Sequence, residues 1–165
     1  MVNFSLSNLK ELQNIVSHHS EKSKGGENAS KIILIMDGLD FLLASQPSIT
    51  SLTLLRTIMT LRQHVYNMIV TSSADYPLLH NSSSSATPLE TEHRAFVASM
   101  AHQSRMVVQL RSLPTGAAED ISGLLRVSGG GTLNDAEEEN SAFKGREWLY
   151  QVKRDGSVRV WERGQ

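Results

Sequence analysis

Near the amino terminus, the apolar residues Leu6, Leu9, Leu12, Ile15 and Val16 recur at steps of three and four, which predicts a helix with one apolar face and Ser5 as its cap. Residues 20–30 hold no apolar side chain larger than alanine and read as a loop. The run KIILIMD breaks that pattern: residues 32–36 are all large and apolar, as in a central strand of a parallel sheet with helices on both faces. Asp37 stands at its carboxyl end. Leu52, Leu55, Ile58, Met59 and Val65 return to helical spacing and predict a crossover helix over residues 51–66, followed by a short strand in NMIVTSS.

Residues 75–88, with a serine run and two prolines, read as an exposed loop. Leu89, Phe96, Val97 and Met100 mark another helix, with Glu90 and Glu92 in its first turn, where a carboxylate complements the helix dipole. RMVVQLRSL is a third strand and GLLRVSGG a fourth, and the acidic, glycine-flanked residues 129–145 form a second loop. EWLYQV and SVRVWE flank Arg154-Asp155-Gly156, and an Asp-Gly turn between alternating runs predicts a hairpin. Alternating strands and helices followed by a run of strands predict an α/β sheet that ends in an antiparallel extension, with no internal repeat.

Composition narrows the classes of function. A chain of 165 residues with 39% apolar content suits one globular domain over residues 1–165. The net charge of -1 gives no overall field to hold a phosphate polymer, so any nucleic-acid contact must be local. The absence of cysteine excludes disulfides, thiolate zinc sites and thiol catalysis, and suits a reducing compartment. The expected location is cytoplasmic, with the nucleus as a second. The amino terminus lacks a basic flank and an apolar core, and no stretch approaches the roughly 18 apolar residues of a membrane span, so no membrane partner is expected.

The residues offer little chemistry. A carboxylate placed like Asp37 holds the magnesium ion in P-loop ATPases, yet no G-x-x-x-x-G-K-[ST] accompanies it, so Asp37 reads as a degenerate magnesium-strand position. Gly129, Gly130 and Gly131 precede an acidic loop and read as a turn, not as a phosphate cradle. The six histidines are scattered without carboxylates at ligand spacing, and no G-x-S-x-G occurs. No catalytic, cofactor-binding or metal-ligating residue is expected. Among the basic residues, Arg111 at a strand end and Lys144 and Arg146 beside the second loop are the candidates for touching RNA.

The segment FVASMAHQSRMVVQLRSLPTGAAEDISGLLRVSGGG, residues 96–131, resembles the carboxyl-terminal part of the sixth subunit family of the Elongator complex. Its pattern is an apolar strand followed by L-x-T-G-x-A-x-D-[IV]-[ST]-G, met here by Thr115, Gly116, Ala118, Asp120, Ser122 and Gly123 with a slight departure around Pro114. A strand, a glycine cluster, an acidic loop and a final strand pair follow, as in that family. KIILIMDGLDFLLAS resembles the family's strand at the magnesium position. Members are longer and begin with further strands and helices, so the chain reads as shortened at its amino-terminal end.

The resemblance implies an α/β, RecA-like fold with a mainly parallel sheet flanked by helices, a C-terminal antiparallel hairpin and no phosphate-binding loop. It implies a non-catalytic subunit, without cofactor, that joins the fourth and fifth Elongator subunits in a hetero-hexameric ring with two copies of each. Such a ring works with the catalytic Elongator subcomplex, binds transfer RNA and supports modification of the wobble uridine. Residues 73–88 and 113–122 would face its pore, and the second of these has no basic residue, so its contacts would run through backbone N–H groups. Two other readings stand beside this one: an adaptor domain that binds a protein through exposed sheet edges, and an ATPase whose phosphate loop lies in a missing segment.

Overall fold

In the computed structural model, helix α1 (Leu6–Ser23) buries Leu9 and Val16 and packs against α3 (Ser51–Arg62). Ile15, expected on the same apolar face, is half exposed, and the predicted cap Ser5 lies outside the described residues. The structure describes residues 6–23, 31–75, 86–113, 120–132 and 145–162. They belong to two units, Met1–Ser99 and Met100–Gln165.

In the first unit, β1 (Ile33–Met36) pairs in parallel with β2 (Asn67–Val70), in register Ile33 to Asn67 and Met36 to Val70. Each strand alternates in exposure: Met36 is buried and Leu34, Met68 and Val70 are half-buried, whereas Ile33, Ile35 and Ile69 are exposed. The uniform apolar run predicted cover on both faces, and the structure covers one.

A short helix that the sequence reading passed over, α2 (Phe41–Ser45), buries Leu42 and Leu43. In α3 the buried stripe is Leu54, Ile58 and Leu61, and Leu52 is exposed. So many positions of SLTLLRTIMTLR are apolar that spacing alone does not select the phase. The helix also ends at Arg62, leaving Val65 outside. Its N-terminus is held by Thr50, whose hydroxyl accepts from the Thr53 N–H at 3.2 Å.

Helix α4 (Pro88–Gln103) opens on a reciprocal capping box. Thr87 Oγ1 accepts from the Glu90 N–H at 3.2 Å, while Glu90 Oε2 accepts from the Thr87 N–H at 2.7 Å, and Pro88 supplies a preset first helical residue. Phe96 and His93 are the buried residues of this helix.

The second unit holds a four-stranded antiparallel meander in the order β3-β4-β5-β6, formed by β3 (Met106–Arg111), β4 (Gly123–Gly129), β5 (Arg146–Val152) and β6 (Val158–Glu162). The expected hairpin is present. Gly156 has φ +81, its N–H donates to the Lys153 carbonyl at 3.0 Å, and the Asp155 carboxylate accepts from the Ser157 N–H at 2.9 Å. Hydrogen bonds from the Ser157 side chain and then from its backbone N–H lower the Asp155 pKa.

The described residues therefore form a mixed α/β chain, and its strands correct the expectation of one mainly parallel sheet. β3 is hydrogen-bonded to β4 and runs antiparallel to it, so among the described residues the parallel pairing is that of β1 and β2.

Candidate functional site

Two places answer to the sequence reading: the carboxyl end of β1, and the faces of the antiparallel sheet. At the first, the Thr71 hydroxyl donates to Asp37 Oδ1 and accepts from the Gly38 N–H at 3.0 Å. Gly38 takes φ +63, a region open to glycine, and the Thr71 N–H donates to the Met36 carbonyl at 3.0 Å. Asp37 is thus engaged in joining the ends of two parallel strands. Among the described residues, no group of three histidines, cysteines or carboxylates is placed to hold a metal ion.

The sheet faces follow from register, because directly opposed residues of an antiparallel ladder share a face. Arg111 opposes Leu124, which opposes Leu149, which opposes Trp161. Gln109 opposes Arg126, which opposes Glu147. Gln151 opposes Arg159. These residues form the more polar face, on which Leu124 is buried and Leu149 and Trp161 are half-buried, and there Arg111 Nη2 donates to Glu147 Oε1 at 2.7 Å. The other face carries Val108 opposite Val127, Leu110 opposite Leu125 and Trp148, and Tyr150 opposite Val160.

Arg146 opposes Val127 and so belongs to that apolar face. The structure places Arg111 and Arg146 on opposite sides of one sheet, and they do not form a common patch. Arg146 also lines a shallow depression with Glu147, Trp148 and Glu162. Lys144 lies outside the described residues, as does most of residues 73–88 and 113–122. Arg126 and Arg159, both exposed, are the basic residues that share the polar face with Arg111. Sequence reasoning missed this grouping because face membership depends on register, although the alternation in VRVWE carried half of the signal.

Two glycine positions have structural roles. A side chain at Gly130 would place its Cβ 2.1 Å from the Ser104 carbonyl oxygen. The Gly131 N–H donates to the Ala101 carbonyl at 3.4 Å and Thr132 Oγ1 to the Ser104 carbonyl at 2.7 Å, so the glycine cluster closes on the carboxyl end of α4. This is a turn, as read. At the end of the family-like motif, Gly123 has the Arg111 carbonyl 2.4 Å and the Tyr150 ring 2.9 Å from where a Cβ would stand. Ser122 bridges to β5, its hydroxyl accepting from the Val152 N–H at 2.8 Å.

Of the histidines, His93 is buried and its Nε2 donates to the Ser73 carbonyl at 2.9 Å, a satisfied structural histidine. Glu92 on the same helix accepts from the Ser51 N–H at 2.5 Å, and so serves the first turn of α3. The Ser51 side chain and then its backbone N–H hold the Glu92 carboxyl below its ordinary range.

No helix among the described residues is long and apolar enough to cross a membrane. No curated protein sequence matches the chain. The family model for Elongation complex protein 6 matches residues 2–153, including both parallel strands, the motif ending in Ser122-Gly123 and β5. With nearly the whole chain covered, the protein belongs to the Elongation complex protein 6 family, the family of the sixth Elongator subunit.

Proposed function

We propose that this Elongator subunit is a non-catalytic assembly component, RecA-like in design, that joins the fourth and fifth Elongator subunits in a hetero-hexameric ring with two copies of each. In this reading the ring, together with the catalytic subcomplex, binds transfer RNA in the cytoplasm and nucleus and supports wobble-uridine modification. The observation that carries the assembly role is the apolar face of the antiparallel sheet. Met106, Val108, Leu110, Val152, Val158 and Val160 are between 45% and 65% exposed there. A contiguous apolar surface of that kind marks a protein contact, because water is a poor neighbour for it. The engagement of Asp37 by Thr71 supports a structural role for that carboxylate in place of magnesium binding.

Co-expression with the fourth and fifth Elongator subunits, followed by size-exclusion chromatography with light scattering, tests this. The expected result is one ring-sized species containing all three. Elution of the chain alone, while the other two associate without it, would overturn the assembly role and favour an adaptor that binds another protein.

A further inference from the structure

Strand β6 is an edge of the antiparallel sheet, and hydrogen bonds made by its neighbour β5 fix which of its backbone groups face outward. The Val152 N–H donates to the Ser122 hydroxyl, and the Tyr150 carbonyl accepts from the Ser122 N–H at 2.8 Å, both on the side of β5 that faces β4. The alternate residues, Gln151 and Leu149, therefore turn their backbone groups toward β6, where they oppose Arg159 and Trp161. Val158, Val160 and Glu162 are left with N–H and C=O groups aimed at the outer edge, where no further strand lies among the described residues. All three are exposed.

We infer that this edge pairs with the same edge of a second copy of the chain, joining two four-stranded sheets into one antiparallel sheet across a twofold axis at Val160. The sequence of the strand selects the occupant. Centred on Val160, antiparallel pairing sets Val160 opposite itself and Val158 opposite the partner's Glu162, so the outward-facing groups exchange backbone bonds along the whole of β6. Arg159 then falls opposite the partner's Trp161 at a position without backbone bonds, where side chains stand closest and a guanidinium can lie over the indole face. Neither neighbouring register pairs the whole strand, and one of them sets Arg159 against its own copy, a like-charge pair. A partner of unrelated sequence would have to supply this complement, whereas the chain supplies it itself.

The contact uses one strand edge and buries less than a permanent dimer does, so the dimer is weak and reversible. It concerns the chain by itself and is independent of ring assembly. Sedimentation equilibrium of the full chain, over a concentration series into the high micromolar range, is expected to show a monomer–dimer equilibrium. Val160→Pro removes the central outward N–H and leaves the bonds between β5 and β6 in place, and should weaken the dimer at least about tenfold, since the axis repeats the loss. Val158→Lys, opposite the partner's Glu162, should tighten it about two- to thirtyfold, and Val158→Glu should weaken it by a similar factor. Val152→Lys adds the same charge on the same face one strand in from the edge, and should leave the dimer unchanged.

Thermal melts matching the parent chain establish that the variants are folded. A chain that stays monomeric throughout, a dimer that survives Val160→Pro, or one that Val158→Lys and Val158→Glu move in the same direction would each overturn the inference. So would a dimer abolished by Leu110→Lys, because Leu110 lies on the opposite edge strand and its effect would place the contact on the apolar face. Failure of the three-subunit ring to form, with the dimer intact, would count against the assembly role alone.

Discussion

Thr71 and Asp37 meet at the carboxyl ends of the two parallel strands, the threonine hydroxyl donating to the carboxylate while accepting from the Gly38 N–H. One hydroxyl therefore serves both ends, and Thr71→Val, which keeps the shape but removes the oxygen, loses both bonds. The expected cost is about 1–2 kcal/mol, the range for an exposed bond to a charged group plus one neutral bond. Urea unfolding of the variant measures it, and an unchanged midpoint would show that the clasp contributes nothing.

Gly130 is argued from space. Its absent Cβ would lie 2.1 Å from the backbone carbonyl oxygen of Ser104, which cannot rotate away as a side chain can. Gly130→Ala is expected to destabilise by about 1–3 kcal/mol, the usual cost of forcing an extra carbon into a packed site. Gly156, at φ +81 with open space around it, should instead accept asparagine at a much smaller cost. Comparing the two melting temperatures separates steric exclusion from backbone conformation.

Acid stability has a specific contributor in Glu92. Its carboxyl is held below the ordinary value of 4.5 by the Ser51 hydroxyl and N–H, so the folded state binds this proton less readily than the unfolded chain. The stabilisation is therefore fully present above the unfolded pKa and is lost as the pH falls through the lowered folded one. Glu92→Gln should be less stable than the parent at pH 7, and the gap should close in acid well below pH 4.5. A gap that stays constant across that range would mean the carboxylate charge is not involved.

How much of this was legible in the residues can be followed strand by strand. The parallel pair was readable because residues 32–36 and NMIV are short apolar runs separated by a helical one. The hairpin was readable because Asp155-Gly156 stands between two alternating runs. The partner of β3 was not, since MVVQLR fits either sheet and only hydrogen bonding to β4 decides between them. The candidate site suffered from the same gap. Arg111 at a strand end and Arg146 beside the second loop were candidates for the same kind of contact, yet their faces depend on register, and a slip of one residue in one strand would put them on the same face. The Thr71 clasp left no signal, because a threonine after a strand in TSS is ordinary composition.

The apolar sheet face yields the most direct test of assembly. Leu110 is 65% and Val160 51% exposed, on β3 and β6 at the two edges of the sheet, so neither contributes much to folding of the isolated chain. Changing both to lysine should move stability by no more than about 0.5 kcal/mol per site, as for other exposed positions. At a buried subunit contact, the same change would leave two ammonium groups without water or partner, which costs several kcal/mol and blocks docking. Co-purification of Leu110→Lys/Val160→Lys with the fourth and fifth Elongator subunits is therefore expected to fail while its melting temperature stays near that of the parent. Incorporation at the parent level would place the contact elsewhere, with the exposed face of Ile33, Ile35 and Ile69 on the parallel pair as the next surface to change.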